Sequence, residues 1–299
     1  IYSIYLKKLL RSYKQKMKTI SNKEYSGERP LFGKSNIKLS NIRIIDGESA
    51  LKEGHEISAE KSYFNGKYPF WHIQDLSIDT CAFDTMARAA IWYSQKINMS
   101  NCDVVAPKMF RKCSDISVYQ TIFSDAKETF WDCKGIKIDN CSMNNADYLF
   151  LNSSNIEINK LKLNGNYAFQ NASGIKIVDS IINSKDAFWE AQDVTVINSI
   201  INSEYLAWHS KNVTLINCTI TGKQPMCYAE NLRLVDCILA DSTEFAFEYS
   251  SVFATIKSHI ESVRNPLSGH IRATSIGKII IDEHKKAPAS CVIEENYFG

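Results

Sequence analysis

Residues 174–192 read GIKIVDSIINSKDAFWEAQ, and residues 193–211 read DVTVINSIINSEYLAWHSK. The two 19-residue units superpose without a gap: Ile175 falls on Val194, Ile177 on Val196, Ser180 on Ser199, Ile182 on Ile201 and Trp189 on Trp208. A fixed period near twenty, carried by apolar-x-apolar patches rather than helical spacing, is the signature of a solenoid built from strands.

The period extends in both directions. Taking the first apolar residue of each unit as its lead, the leads are Ile37, Ile57, Leu76, Ile97, Ile116, Ile136, Ile156, Ile175, Val194, Val213 and Leu232. Two residues on, from Leu39 to Leu234, stands a second apolar column, the alternation of a half-buried strand. Five residues on come small side chains, mostly thiol or hydroxyl, among them Cys81, Cys102, Cys141, Cys218 and Cys237, as a cramped inward corner requires. Seven residues on, from Ile44 to Leu239, every member is apolar. Six before the lead runs a column rich in phenylalanine, from Phe70 to Phe188. Four after it every member is polar, from Asn41 to Asp236, which suits a left-handed bend and allows amides to bond along the stack.

Three short strands per unit with tight corners describe an all-β chain, a single-stranded parallel β-helix whose coils lie about 4.8 Å apart. The crossover preference favours right-handed winding. About eleven regular coils span 37–250, residues 17–36 read as an N-terminal cap, and 251–299, where the register decays, as irregular coils and a C-terminal cap. One step lengthens around Thr85–Arg88, which predicts an outward bulge. Residues 1–16 carry five cations and no acid, unlike the rest; they read as a basic leader, disordered or a short helix, with Met17 a natural start.

Composition excludes several classes. No run reaches the roughly eighteen apolar residues of a membrane-spanning helix, and a net charge of +2 gives no nucleic-acid footprint. Nine cysteines with no paired spacing suit buried thiols in a reducing, cytoplasmic compartment better than a disulfide frame. No histidine, cysteine or carboxylate spacing points to a metal, and no cofactor motif occurs.

Five before the lead lies an unusual column. All five tryptophans, Trp71, Trp92, Trp131, Trp189 and Trp208, fall in it, together with Arg111, Leu151 and Gln170. Next along the chain stand His72, Asp132, Glu190, His209 and Glu248. An outward ribbon of indoles beside carboxylates suits the flat faces and hydroxyl edges of a saccharide; an inward column would only fill a wide core. Both readings stand on the sequence.

The motifs SGERPLFG (26–33), DGESALKEG (46–54), KYPFWH (67–72), ARAAIWYS (87–94), ETFWDC (128–133), KDAFWE (185–190) and EYLAWHSKNVT (204–214) resemble a bacterial β-helix family, domain of unknown function 3737. The resemblance runs from about Met17 to the end. It implies a pectin-lyase-like right-handed β-helix and brings no activity with it.

Glycoside hydrolysis needs two carboxylates about 5–9.5 Å apart. Glu128 with Asp132, or Asp186 with Glu190, are the candidate pairs, with Glu248 a further acid. The NTD, DD, GHG and RIK motifs of polygalacturonases do not occur; Gly269-His270-Ile271 is a fragment only. Three functions follow as expectations. The first is binding of an extended ligand such as an oligosaccharide along Trp71, Trp92, Arg111, Trp131, Trp189, Trp208 and His209. The others are a hydrolase or lyase of this fold, and a scaffold that uses the stripe for protein contact or self-association.

Overall fold

The computed structural model describes residues 17–240, 243–283 and 290–298; the expected basic leader lies outside them. The lead residues pair one on the next through the whole repeat. Ile37 lies on Ile57, Ile57 on Leu76, Leu76 on Ile97, and so on to Val213 on Leu232, always in parallel. The leads from Ile37 to Val213 each sit within a six-residue strand, as in Ser35–Ser40 or Lys134–Asp139, and Leu232 within the longer Glu230–Leu239. A second parallel stack is made of shorter strands, with Ile44 on Phe64, Phe64 on Phe83 and onward to Ile220 on Leu239. The result is an all-β parallel solenoid of about 14 turns.

The third side departs from the expected strand. Among the described residues only Ile91–Trp92 and Phe110–Arg111 form a strand pair there; elsewhere the chain makes tight bends, still joined coil to coil by bonds such as Phe150 N to Ala168 O at 2.8 Å. The reason is backbone hand. Each regular coil carries several left-handed residues rather than the single one expected: in one coil these are Asp186, Glu190, Asp193 and Asn198, in the next Tyr205, His209, Asn212 and Asn217. Left-handed backbone disfavours most non-glycine residues, so each bend needs external support. Amide ladders supply part of it. Asn217 donates to Asn198 at 2.9 Å, Asn231 to Asn212 at 2.9 Å, and Asn212 to Asp193 at 2.8 Å.

The core is a column of like on like. Phe110, Phe130, Phe150 and Phe169 stack at centroid spacings of 4.7, 5.2 and 5.0 Å, all fully buried. The small corner residues have a definite task. Leu161 N donates to Ser180 Oγ at 3.0 Å, and that hydroxyl donates to Val178 O at 2.8 Å. The thiol of Cys81 likewise donates to Asp79 O at 3.3 Å. A second corner, three before the lead, works the same way: Ile73 N donates to Ser94 Oγ, and Cys113 Sγ to Ile91 O. Apolar side chains there would leave buried amides without partners.

The ends differ from the body. Lys18–Ser21 lies in register on Ile37–Ser40, so the stretch expected as a cap also adds a coil. Residues 251–264 and 268–280 form two long strands with a register shift between Ile256 and His259. Gly269, at φ +108, passes so close to Val252 that a Cβ would meet its carbonyl oxygen at 1.8 Å; this steric demand accounts for the glycine of the Gly-His fragment. The expected bulge is a short 3-10 turn, Thr85–Ala87, with Asp84 accepting from Thr85 N.

Candidate ligand-binding ribbon

The tight bends of the third side turn the tryptophan column outward while the phenylalanines beside it point in. The indoles are partly buried, and their surroundings explain why. Trp71 and Trp92 stack at 5.2 Å with 10° between planes, and Trp189 and Trp208 at 6.1 Å with 22°. Arg111 fills the step between Trp92 and Trp131, its guanidinium 4.4 and 4.5 Å from the two ring centroids. Ring faces are therefore taken up along the axis, and edges meet solvent. The ring N–H groups are partly spent as well. Trp71 donates to Ala89 O at 2.7 Å, Trp92 to Lys108 O at 2.9 Å, and Trp131 to Tyr148 O.

A flanking tyrosine column escaped the sequence reading. Tyr68 packs on Trp71 at 4.8 Å, Tyr167 on Trp189 at 5.8 Å and Tyr205 on Trp208 at 5.2 Å. The signal was available, since Tyr68, Tyr148, Tyr167 and Tyr205 all stand eight residues before a lead.

The acids divide by environment. Glu128 is held by Lys108 Nζ at 2.8 Å and by Arg111 at 3.5 Å, while Asp132 accepts from Asn152 at 3.2 Å. Glu248 is buried, accepts from Gln224 at 2.6 Å and pairs with Arg264 at 3.3 Å, an ion pair that ties the C-terminal coils to the body. Asp186 is only 3% exposed, one of its oxygens has no partner among the described residues, and burial pushes its carboxyl up to about 6. Glu190, four residues along the same coil, is exposed; its backbone N–H donates to Trp208 O at 2.9 Å, and its carboxylate is not among the ion-paired or hydrogen-bonded acids just described.

On this exposed flank the coils form a hollow of about 480 Å³ lined by Asn171, Glu190, Gln192, His209, Lys211, Tyr228 and Glu230. It brings together Glu190 and His209, two of the residues the sequence singled out. Its one internal ion pair is Lys211 with Glu230 at 3.0 Å. His209 is set by its rings, 5.9 Å from Trp208 and 5.1 Å from Tyr228. A larger hollow of about 590 Å³ lies on the long-strand sheet. Four of its polar side chains are engaged in pairs, Asn159 with Asp139 at 2.8 Å and Lys137 with Glu157 at 3.4 Å, and none of its lining residues is among those the sequence singled out. The smaller hollow is therefore the better candidate site. Among the described residues no three histidine, cysteine, aspartate or glutamate side chains gather as a metal site, and no helix is long and apolar enough to cross a membrane.

Fold and surface together define a parallel β-solenoid with an outward aromatic ribbon and a polar flank. The chain belongs to the family described as protein of unknown function (DUF3737), whose model matches residues 18–294. No curated protein matches it. Among solved structures it is similar to PfbA, a surface adhesin of Streptococcus pneumoniae, at 10% identity and TM-score 0.41, covering 92% of this chain and 84% of that one. It is similar to QnrB1, a plasmid-mediated fluoroquinolone resistance protein, at 14% identity and TM-score 0.34, covering 79% and 93%. The mannuronan C-5 epimerase AlgE6 A-module of Azotobacter vinelandii follows at 10% identity and TM-score 0.29, covering 92% and 80%. These likenesses are distant, and no function passes from them to this chain.

Proposed function

We propose that this protein binds an extended, hydroxyl-rich ligand, a saccharide chain, laid along the solenoid axis on the polar flank of the tryptophan ribbon. The observation that carries this reading is the hollow in which Glu190, Gln192 and His209 stand side by side with their polar groups open to solvent. A sugar hydroxyl donates and accepts at once, and a carboxylate, an amide and an imidazole offer both complements. Stacked coils repeat such groups about every 4.8 Å, so an extended ligand meets one at each level. The indoles border this site, Trp208 lying against His209 at 5.9 Å, and do not form a stacking platform within it. Nine free thiols, eight of them buried, accord with a cytoplasmic location.

The reading includes no catalytic step. Glu128 and Glu248 are neutralised by cations and Asp186 is shut from solvent, so a hydrolase or lyase has less support than a binder.

The test is tryptophan emission of the full chain, titrated with iodide and then with a panel of oligosaccharides. All five reporters lie in the ribbon. A sugar that shifts emission and shields the indoles from iodide, with affinity lowered at least tenfold in His209→Ala, supports the proposal. A panel without effect on emission or on iodide quenching overturns it.

A further inference from the structure

Six of the nine cysteines stand in pairs on neighbouring coils, Cys81 beside Cys102, Cys113 beside Cys133 and Cys218 beside Cys237. The residues that follow them are register partners: Ala82 lies on Asp103, Ser114 on Lys134 and Thr219 on Ile238. All six thiols are buried, and their sulfurs meet. The Cys113 and Cys133 thiols are in hydrogen-bonding contact, as are those of Cys218 and Cys237, and Cys81 N donates to Cys102 Sγ at 3.4 Å. The corner itself asks only for a hydroxyl: Ser62 accepts from Ile42 N at 3.2 Å and Ser199 from Ser180 N at 3.1 Å. Cysteine does the same work and adds an oxidisable atom.

We propose that these three pairs are a modification site for hydrogen peroxide, which joins each pair as a disulfide and staples one coil to the next. In-register residues on strands about 4.8 Å apart fall within the roughly 4.4–6.8 Å between Cα atoms that a disulfide spans. Peroxide oxidises one thiol to a sulfenic acid and leaves as water. The neighbouring sulfur then displaces the hydroxyl, forming the S–S bond and releasing a second water. Two thiols give up two hydrogens and two electrons, and one peroxide becomes two waters. Because the thiols are buried, the reaction follows opening of a corner, and the adjacent thiol captures the sulfenic acid before it oxidises further. Each bridge closes a loop of about twenty residues and so restricts the unfolded chain. Cys218–Cys237 does this beside the register shift at Leu234–Cys237, where the regular coils end. Cys141 and Cys227 provide an internal comparison. Both are buried, but Cys141 stands between Thr121 and Leu161 in its column and Cys227 follows Trp208 in its own, so neither has a thiol to join.

The test exposes the full chain, as Cys291→Ser to prevent bridges between molecules, to hydrogen peroxide with and without urea below its unfolding midpoint. The protein is then denatured, alkylated and mapped by peptide mass spectrometry. Three bridges are expected, each two hydrogens lighter than the free pair, at Cys81–Cys102, Cys113–Cys133 and Cys218–Cys237, with Cys141 and Cys227 alkylated. The urea midpoint of the oxidised protein rises and returns to the starting value on reduction with dithiothreitol. Cys133→Ser, which keeps a polar atom at its corner, loses the Cys113 bridge and retains the other two; circular dichroism confirms its fold. Thiols that stay reduced with and without urea overturn the proposal, as do thiols that pass to sulfinic acid unbridged, or bridges formed as readily through Cys141 or Cys227.

Discussion

The guanidinium of Arg111 lies 4.4 Å from the ring centroid of Trp92 and occupies the place that an indole takes in the coils on either side. A planar cation can hold a rung of an aromatic ladder because it presents a flat face to both neighbours and draws on their ring quadrupoles. Its charge is answered at the edge by Glu128 at 3.5 Å.

Arg111→Ala should break this ladder, opening a gap between Trp92 and Trp131 and leaving Glu128 to Lys108 alone. A loss of about 1–3 kcal/mol is expected, the sum of a desolvated cation–π contact and a partly buried ion pair. Arg111→Trp should restore the stack and most of the near-ultraviolet dichroism lost in the alanine variant. Urea denaturation and near-ultraviolet spectra of the three proteins decide it; an alanine variant as stable as the parent would show the stack to be incidental.

Asp186 gives a pH dependence with a definite sign. Burial raises its carboxyl from 3.8 to about 6 in the fold, so the folded state favours the protonated form. Its contribution to stability is fully present below about pH 4 and lost as pH rises through 6. Asp186→Asn should remove that slope and raise stability at pH 7 by up to about 3 kcal/mol, at roughly 1.4 kcal/mol per pKa unit. Melting temperatures at pH 4, 6 and 7.5 test this, and an unchanged difference between pH 4 and 7.5 in the variant would assign the slope elsewhere.

The corner hydroxyls should not tolerate loss of their polar atom. Ser180→Ala orphans the amide of Leu161, which now donates at 3.0 Å, and should cost about 1–3 kcal/mol. Ser180→Cys keeps an acceptor of similar size and should cost less than about 1 kcal/mol, since at the same corner Cys81 N already donates to Cys102 Sγ at 3.4 Å. Equal losses in the two variants would mean that size alone governs the corner.

Thiol chemistry should follow burial. Desolvation pushes Cys81 and Cys141 up to about 11, and Cys102 and Cys227 to about 12. Reagents that attack the thiolate at pH 8 should therefore label the native protein at Cys291 at most, the one cysteine that is not fully buried. Full labelling should wait for denaturant. Rapid native labelling of several thiols would mean that the coils open far more often than this packing implies.

How much of this was legible before the structure follows from which interactions are periodic. The strand register from Ile37 to Leu232 could be read residue by residue, because each coil buries the same positions against the coil before it and a slip would expose an apolar column. The inward phenylalanines and the thiol–hydroxyl corner were legible for the same reason. The third side was not. Residues as different as His72, Lys112 and Glu190 all adopt left-handed backbone there, a conformation their side chains do not announce and that coil-to-coil bonding imposes. The tryptophan column was visible as a column, yet its orientation depended on those bends. Likewise Glu190 and Asp186, four residues apart and alike in sequence, differ because one faces solvent and the other is covered. The repeat by itself determined the solenoid, its register and its core, since these depend on like packing on like. Only the tertiary structure decided which polar groups stay open, because that depends on what the neighbouring coils leave uncovered.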